Sequence, residues 1–220
     1  LGLLKANGEY VYFLDSDDYL MEDTLTGLMK TMDENKDLTY GRIFHTWFKK
    51  AAFNVDQGDV IDDGSEQEVD SKVNNDDNFN FSEIYDYKFK NFANLSEITV
   101  LGTVFKKKFL TDNNIKFNEE QKYYSDPEFW TKVLMNVKNY GCNKDSIYVK
   151  RYHNDKINLP SISQMEDDRK DAHFVQSFLD CMKLSESKTD IRNHFEKMAC
   201  DYYVKVFSRK LQIKNQLILP

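Results

Sequence analysis

Cysteine is scarce in this chain of 220 residues: three occur, Cys142, Cys181 and Cys200, widely spaced and without a CxxC pair. That argues against a disulfide framework or a cysteine-based zinc site, and predicts free thiols in a reducing compartment such as the cytoplasm. Positive charge is also short. The 30 lysines and arginines face 37 carboxylates, for a formal net charge of −7. This disfavours nucleic acid as a partner, because such binding depends on a basic surface. No apolar run reaches the roughly 18 residues that a membrane-spanning helix needs. The opening LGLLKANGEY is too short and too polar to read as a signal peptide. Internal repeats are lacking too.

What is present reads as a globular protein, with 40% hydrophobic and 30% charged residues. The chain opens on Leu1 rather than Met and closes on the apolar QLILP, so both ends are expected to be cuts in a longer protein. One stretch stands out. In YVYFLDSDDYL, residues 10–20, five apolar residues run straight into Asp15, Asp17 and Asp18. Three carboxylates this close repel one another unless a cation joins them.

The apolar run Tyr10 to Leu14 suits a strand buried on both faces, as in a parallel sheet. Beyond the acids, Leu25, Leu28, Met29 and Met32 are spaced as one face of a helix whose N-terminus Glu22 and Asp23 favour. In such sheets ligands sit at the carboxyl ends of strands, where the acidic cluster falls. Residues 39–50 read as a further strand. Residues 54–80 are acidic and Asn-rich and predict a long surface loop. GTVFKKKFL predicts a short strand running into a helix, FWTKVLMNV a helix with Trp130, Val133, Leu134 and Val137 on one face, and SIYVKRYH a strand. Past Gln164 the pattern is helical, with Val175, Phe178, Leu179 and Met182 on one face, then Phe195, Met198, Ala199 and Tyr202.

Three sources for the acidic turn compete with a fourth. A calcium loop starting at Asp15 needs Gly at its sixth position and Glu at its twelfth, where Leu20 and Thr26 stand. A haloacid-dehalogenase-type phosphatase usually has Thr or Val where Tyr19 stands. A helix start decorated with acids explains Asp18, Glu22 and Asp23 but not Asp15. The fourth reading fits best: GEYVYFLDSDDYL resembles the Asp-x-Asp segment of family 2 glycosyltransferases. GTVFKKKFLTDNNIKFNEEQKYYSDPEFW is similar to that family's acceptor-side stretch, and YVKRYHNDKINLPSIS to its basic element, in the same order. The bacterial cell-envelope members, including those that glycosylate wall teichoic acid, are the closest in flavour.

The resemblance implies an α/β fold: a partial GT-A domain with a mixed, mainly parallel sheet, plus C-terminal helices. It places the GT-A domain at residues 1–165, without its N-terminal nucleotide-binding half, and a helical extension at 166–220. The implied reaction is metal-dependent, inverting transfer of a sugar from a nucleotide-sugar donor, expected to be UDP-linked, to a polysaccharide, teichoic-acid or lipid-linked acceptor. The competing implication is a degenerate, non-catalytic module used for interaction or assembly. Asp17 is the implied main ligand of Mg²⁺ or Mn²⁺; Asp15 would touch the metal or donor ribose, with Asp18 in support. Hard oxygen ligands suit these ions. Asp126 matches the general base of a downstream acidic pair whose first member, often Glu, is Ser125 here; Asp126 would equally cap a helix. Arg151 and His153 match the basic element that holds the diphosphate or an anionic acceptor, or else form a solvated strand end. Lys106, Lys107 and Lys108 suit an anionic polymer or the inner face of the plasma membrane, though a solvated helix start suits them better.

Overall fold

The computed structural model describes residues 2–47, 99–152 and 169–216. The acidic loop expected at 54–80 and His153 lie outside those residues. The chain divides into two compact units: residues 1–116 with 136–165, and residues 117–135 with 166–220.

The first unit holds a five-stranded sheet. Its strands are β1 (Tyr10–Tyr12), β2 (Tyr19–Leu20), β3 (Leu38–Trp47), β4 (Thr103–Lys106) and β5 (Tyr140–Tyr152), in the spatial order β1-β4-β3-β5-β2. The sheet is mixed, as expected, but not mainly parallel. Among the described strands only β3 and β5 pair in parallel, in the longest ladder; β1–β4, β3–β4 and β2–β5 are antiparallel. Among the described strands, the apolar run at Tyr10 to Leu14 gives β1 at one end of the order, beside β4. Val11 is buried, Tyr10 and Tyr12 are half-buried, and Leu14 is exposed. A continuous apolar run signals partial burial; it carries no information on which strand lies alongside or in which direction.

Among the described residues, three short helices belong to this part of the chain: α1 (Gly2–Lys5), α2 (Thr24–Thr31) and α3 (Lys107–Asp112). The stripe predicted for α2 is half right. Leu28 is fully buried and Met32 nearly so, packed with Val104 and flanked by Tyr10 and Tyr12. Leu25 and Met29 face outward. Asp23 precedes α2 in the left-handed region, at φ 61°, and makes no side-chain cap bond. Thr24 does the anchoring instead: its hydroxyl donates to the Ile147 carbonyl at 2.8 Å and accepts the Ile147 N–H at 3.2 Å. This ties the start of α2 to β5.

The β3–β5 ladder is interrupted. Tyr40 pairs with Cys142, but Arg42 pairs with Ile147, so β5 bulges between them. Asn143 fills the bulge, accepting the Asp145 N–H and donating to the Gly27 carbonyl of α2 at 2.9 Å. Gly41 lies opposite, and a Cβ there would run into the backbone oxygen of Ser146. Only glycine lets the two backbones approach this closely.

In the second unit, α4 (Asp126–Asn136) buries Phe129, Trp130, Val133 and Leu134; Val137, just past its end, is buried too. Helix α5 (Arg169–Leu184) packs on α6 (Thr189–Gln216) through Phe174, Phe178 and Phe195, the last two with ring centroids 6.0 Å apart. The buried face of α5 is Phe174, Ser177, Phe178 and Cys181, not Val175, Phe178, Leu179 and Met182. Leu179 is 47% exposed. The stripe is rotated because Ser177 donates from inside to the Tyr124 carbonyl at 2.7 Å, a role that apolar periodicity does not register. Burial pushes the Cys181 thiol up to about 12, so it packs as a small apolar group.

Candidate functional site

The acidic turn connects β1 to β2. Its backbone closes with the Asp18 N–H donating to the Asp15 carbonyl at 3.2 Å. Asp15, Asp17 and Asp18 each offer a carboxylate oxygen, and these oxygens lie within 4.8 Å of one another. Such crowding has an electrostatic cost. Although Asp15 keeps an exposed edge, the packing around its carboxyl strips away water and raises its pKa; the charges of Asp18 and Asp17 add to that, and Lys150 opposes it.

The floor under the turn is the second half of β5. Tyr148 is fully buried there, with its hydroxyl reaching up to the acids. It donates to Asp18 Oδ2 at 2.6 Å and accepts the Asp15 N–H at 3.2 Å. Burial, then the bond to Asp18, raises the pKa of this phenol, so it stays protonated and able to donate. The Arg151 N–H donates to Asp18 Oδ1 at 2.7 Å. Both oxygens of Asp18 are thus engaged by β5. The Arg151 side chain also lies against the turn: its Nε donates to the Asp17 carbonyl, and its guanidinium sits 5.8 Å from the centre of the Tyr19 ring. Arg151 therefore joins the triad, as does Lys150, while His153 lies outside the described residues.

The fit to a hard divalent cation follows from this donor set. Asp15 and Asp17 supply clustered carboxylate oxygens, the ligand type Mg²⁺ and Mn²⁺ take, and the mutual repulsion of the acids is what a cation would relieve.

A family model described as Glycosyl transferase family 2 matches residues 1–50, which contain the whole turn. Residues 1–50 thus carry a family 2 glycosyl transferase segment. The chain is 32% identical, over 157 residues, to poly(ribitol-phosphate) beta-N-acetylglucosaminyltransferase TarP of Staphylococcus aureus. That match takes in 67% of this chain and 38% of TarP, so the chain spans well under half of that relative. Two crystal structures of S. aureus TarS 1-349 share its fold. The complex with UDP superposes at TM-score 0.51 with 17% identity, covering 99% of this chain and 53% of that one. The complex with UDP-GlcNAc gives 0.53 and 16%, covering 94% and 51%.

The remaining predicted residues fall elsewhere. Asp126 is the first residue of α4, in the second unit, with Ser125 before it accepting the Phe129 N–H through its carbonyl. The segment leading there is held by α5: besides Ser177 on Tyr124, Gln121 Nε2 donates to the His173 carbonyl, and the Tyr124 and Phe174 rings meet edge to face at 4.7 Å. Tyr124 itself has a positive φ of 59°, rare for a bulky residue. The three lysines are engaged locally. Lys106 donates to the Glu34 carbonyl, Lys107 to that of Ala6, and Lys108 pairs with Asp112. Among the described residues no helix is long and apolar enough to cross a membrane. Sequence reasoning missed Tyr148 and Thr24, whose roles depend on β5 lying under the turn.

Proposed function

We propose that the protein containing this chain transfers a sugar from a UDP-linked donor to a polyol-phosphate or related cell-envelope polymer, with inversion at the anomeric carbon. The observation that carries this reading is the Asp15–Asp17–Asp18 cluster, tied to β5 through Asp18 and lying within residues 1–50, which match family 2. The name of TarP supports N-acetylglucosamine as the sugar and poly(ribitol phosphate) as the acceptor to test first, and the TarS complexes support UDP-GlcNAc as the donor.

In this reading Asp17, with Asp15, holds Mg²⁺ or Mn²⁺, which when bound supplies Lewis-acid neutralisation of the departing diphosphate. Arg151 adds positive charge beside the turn, and His153 is assigned with it to the diphosphate. Asp126 takes the proton of the acceptor hydroxyl. As that oxygen bonds to the anomeric carbon, the bond from that carbon to the diphosphate oxygen breaks on the opposite side, and its electron pair leaves with UDP. The start of a helix favours an ionised Asp126, ready to accept a proton near neutral pH.

The test uses the full-length protein, UDP-GlcNAc and poly(ribitol phosphate), with release of UDP as the signal. Removing divalent ions with EDTA should abolish transfer and adding Mn²⁺ should restore it. Asp17→Asn should lower the rate at least about 10³-fold, the scale of several kcal/mol of lost charge stabilisation. Transfer that survives both EDTA and Asp17→Asn would overturn the reading.

A further inference from the structure

A four-residue turn carrying three carboxylates should open under its own charge, and a single backbone bond across it is a weak restraint. The turn nevertheless holds Asp15 and Asp17 together. One buried hydroxyl spans it from end to end: Tyr148 accepts from the backbone N–H of Asp15 and donates to the carboxylate of Asp18. A hydroxyl donating to an ionised carboxylate at 2.6 Å makes a short, charge-assisted bond, stronger than a neutral one. The second oxygen of Asp18 is held by the Arg151 N–H. Asp18 is therefore turned into the fold.

We propose that Tyr148, acting through Asp18 and the Asp15 backbone, is a positioning residue that sets the spacing of Asp15 and Asp17 for a divalent cation. This rests on the reading of those two acids as the metal-holding pair. Tyr148 does not itself touch the cation in this scheme; it fixes the turn that does. Outer partners of metal ligands typically matter by about 10- to 100-fold in metal affinity.

Tyr12 provides an internal control. Its ring lies 6.3 Å from that of Tyr148, and its hydroxyl is buried without a hydrogen-bond partner among the described residues. Tyr12→Phe and Tyr148→Phe each remove one oxygen from adjacent aromatic residues, but only Tyr148→Phe frees the turn.

The experiment is calorimetric titration of Mn²⁺ into the full-length protein saturated with UDP, with thermal melting in parallel. Tyr148→Phe should weaken Mn²⁺ binding about 10- to 100-fold, Tyr12→Phe should leave it unchanged, and excess Mn²⁺ should restore most of the turnover of Tyr148→Phe. A change in melting temperature without a change in Mn²⁺ affinity would reduce Tyr148 to a packing residue and overturn the proposal. If Tyr148→Phe does not fold, Asp18→Asn answers the same question, since it keeps the size of the side chain but removes the charged acceptor; unchanged Mn²⁺ affinity there overturns the proposal equally. Wild-type protein that binds no Mn²⁺ with UDP present would remove the metal reading itself, whereas normal wild-type binding with an unaffected Tyr148→Phe removes only the role of Tyr148.

Discussion

The turn at Asp15–Asp18 and the segment 117–125 ahead of α4 are both loops that deliver candidate acids, and each is held by a longer element behind it. They are held differently. Beneath the first, β5 offers the Tyr148 hydroxyl and the Arg151 backbone N–H to Asp18, one of three crowded carboxylates whose oxygens lie within 4.8 Å. Behind the second, α5 offers Ser177 and the face of Phe174 to a backbone carbonyl and the Tyr124 ring, and Phe117 stacks on Phe129 at 4.6 Å. The segment ahead of α4 is completed by its own packing. The turn gathers three acids beside two cations, Lys150 and Arg151, so the formal charge of this group is a surplus of one negative. A loop that binds a charged ligand gains from such a surplus, while a loop that presents one acid gains from rigidity.

The largest effect that would sharpen this contrast is at Asp126. Asp126→Asn in the full-length protein keeps the size of the side chain and much of its capping ability but loses the basic oxygen. Steady-state turnover should fall about 10²- to 10⁴-fold with UDP-GlcNAc binding unchanged. Near-normal turnover would leave Asp126 as a helix cap. Next comes the packing behind the second loop. Phe178 is fully buried, so Phe178→Ala should cost about 3–5 kcal/mol in denaturant unfolding. A loss under 1 kcal/mol would mean the helical unit is not held by its aromatic core. Ser177→Ala should cost less, about 1 kcal/mol, through the orphaned Tyr124 carbonyl.

The smallest effect has the opposite sign. Asp15 holds its proton more tightly in the folded chain than in the unfolded one, because burial and its acidic neighbours raise its pKa. Its contribution to stability is therefore present at low pH and is lost as pH rises through that raised pKa. Asp15→Asn escapes the loss, so without metal it should melt about 1–2 °C higher than wild type at pH 7, and no higher below the ordinary carboxylate range. Adding Mn²⁺ and UDP should reverse the order at pH 7. A wild type that melts higher than Asp15→Asn without metal would show that the turn is not under strain.

The acidic turn, the start of α4 at Asp126 and the two long C-terminal helices were legible because each is a local pattern: a charge cluster, a cap-like SDPE and a helical period. The partners of those patterns were not. Nothing near Tyr148 marks it as the residue under Asp18, since the two are brought together by β2 and β5 pairing antiparallel across a long stretch of chain. The place of β1 beside β4 was hidden for the same reason. Its neighbour β4 is a short strand, and the apolar residues of β1 would read alike beside any partner. The rotated face of α5 was hidden by chemistry instead, because Ser177 and Cys181 are buried without being conspicuous apolar residues.

The bulge in β5 has a consequence for how such a chain tolerates insertions and deletions. Tyr40 pairs with Cys142 and Arg42 with Ile147, so two steps along β3 are matched by five along β5. Successive residues of a strand point to opposite faces, so a slip of one residue swaps every side chain beyond it to the other side. Asn143 to Ser146 thus act as a phase setter for the stretch that follows. Removing or adding one residue there, unless the bulge absorbs it, would put Ile147 or Val149 where Tyr148 now stands, and no hydroxyl would reach Asp18. Substitutions at the exposed Lys144 and Asp145 can be accommodated as long as Gly41 opposite stays small. Changes in the length of the bulge cannot, because the length of those few residues decides which face of β5 lies beneath the acids.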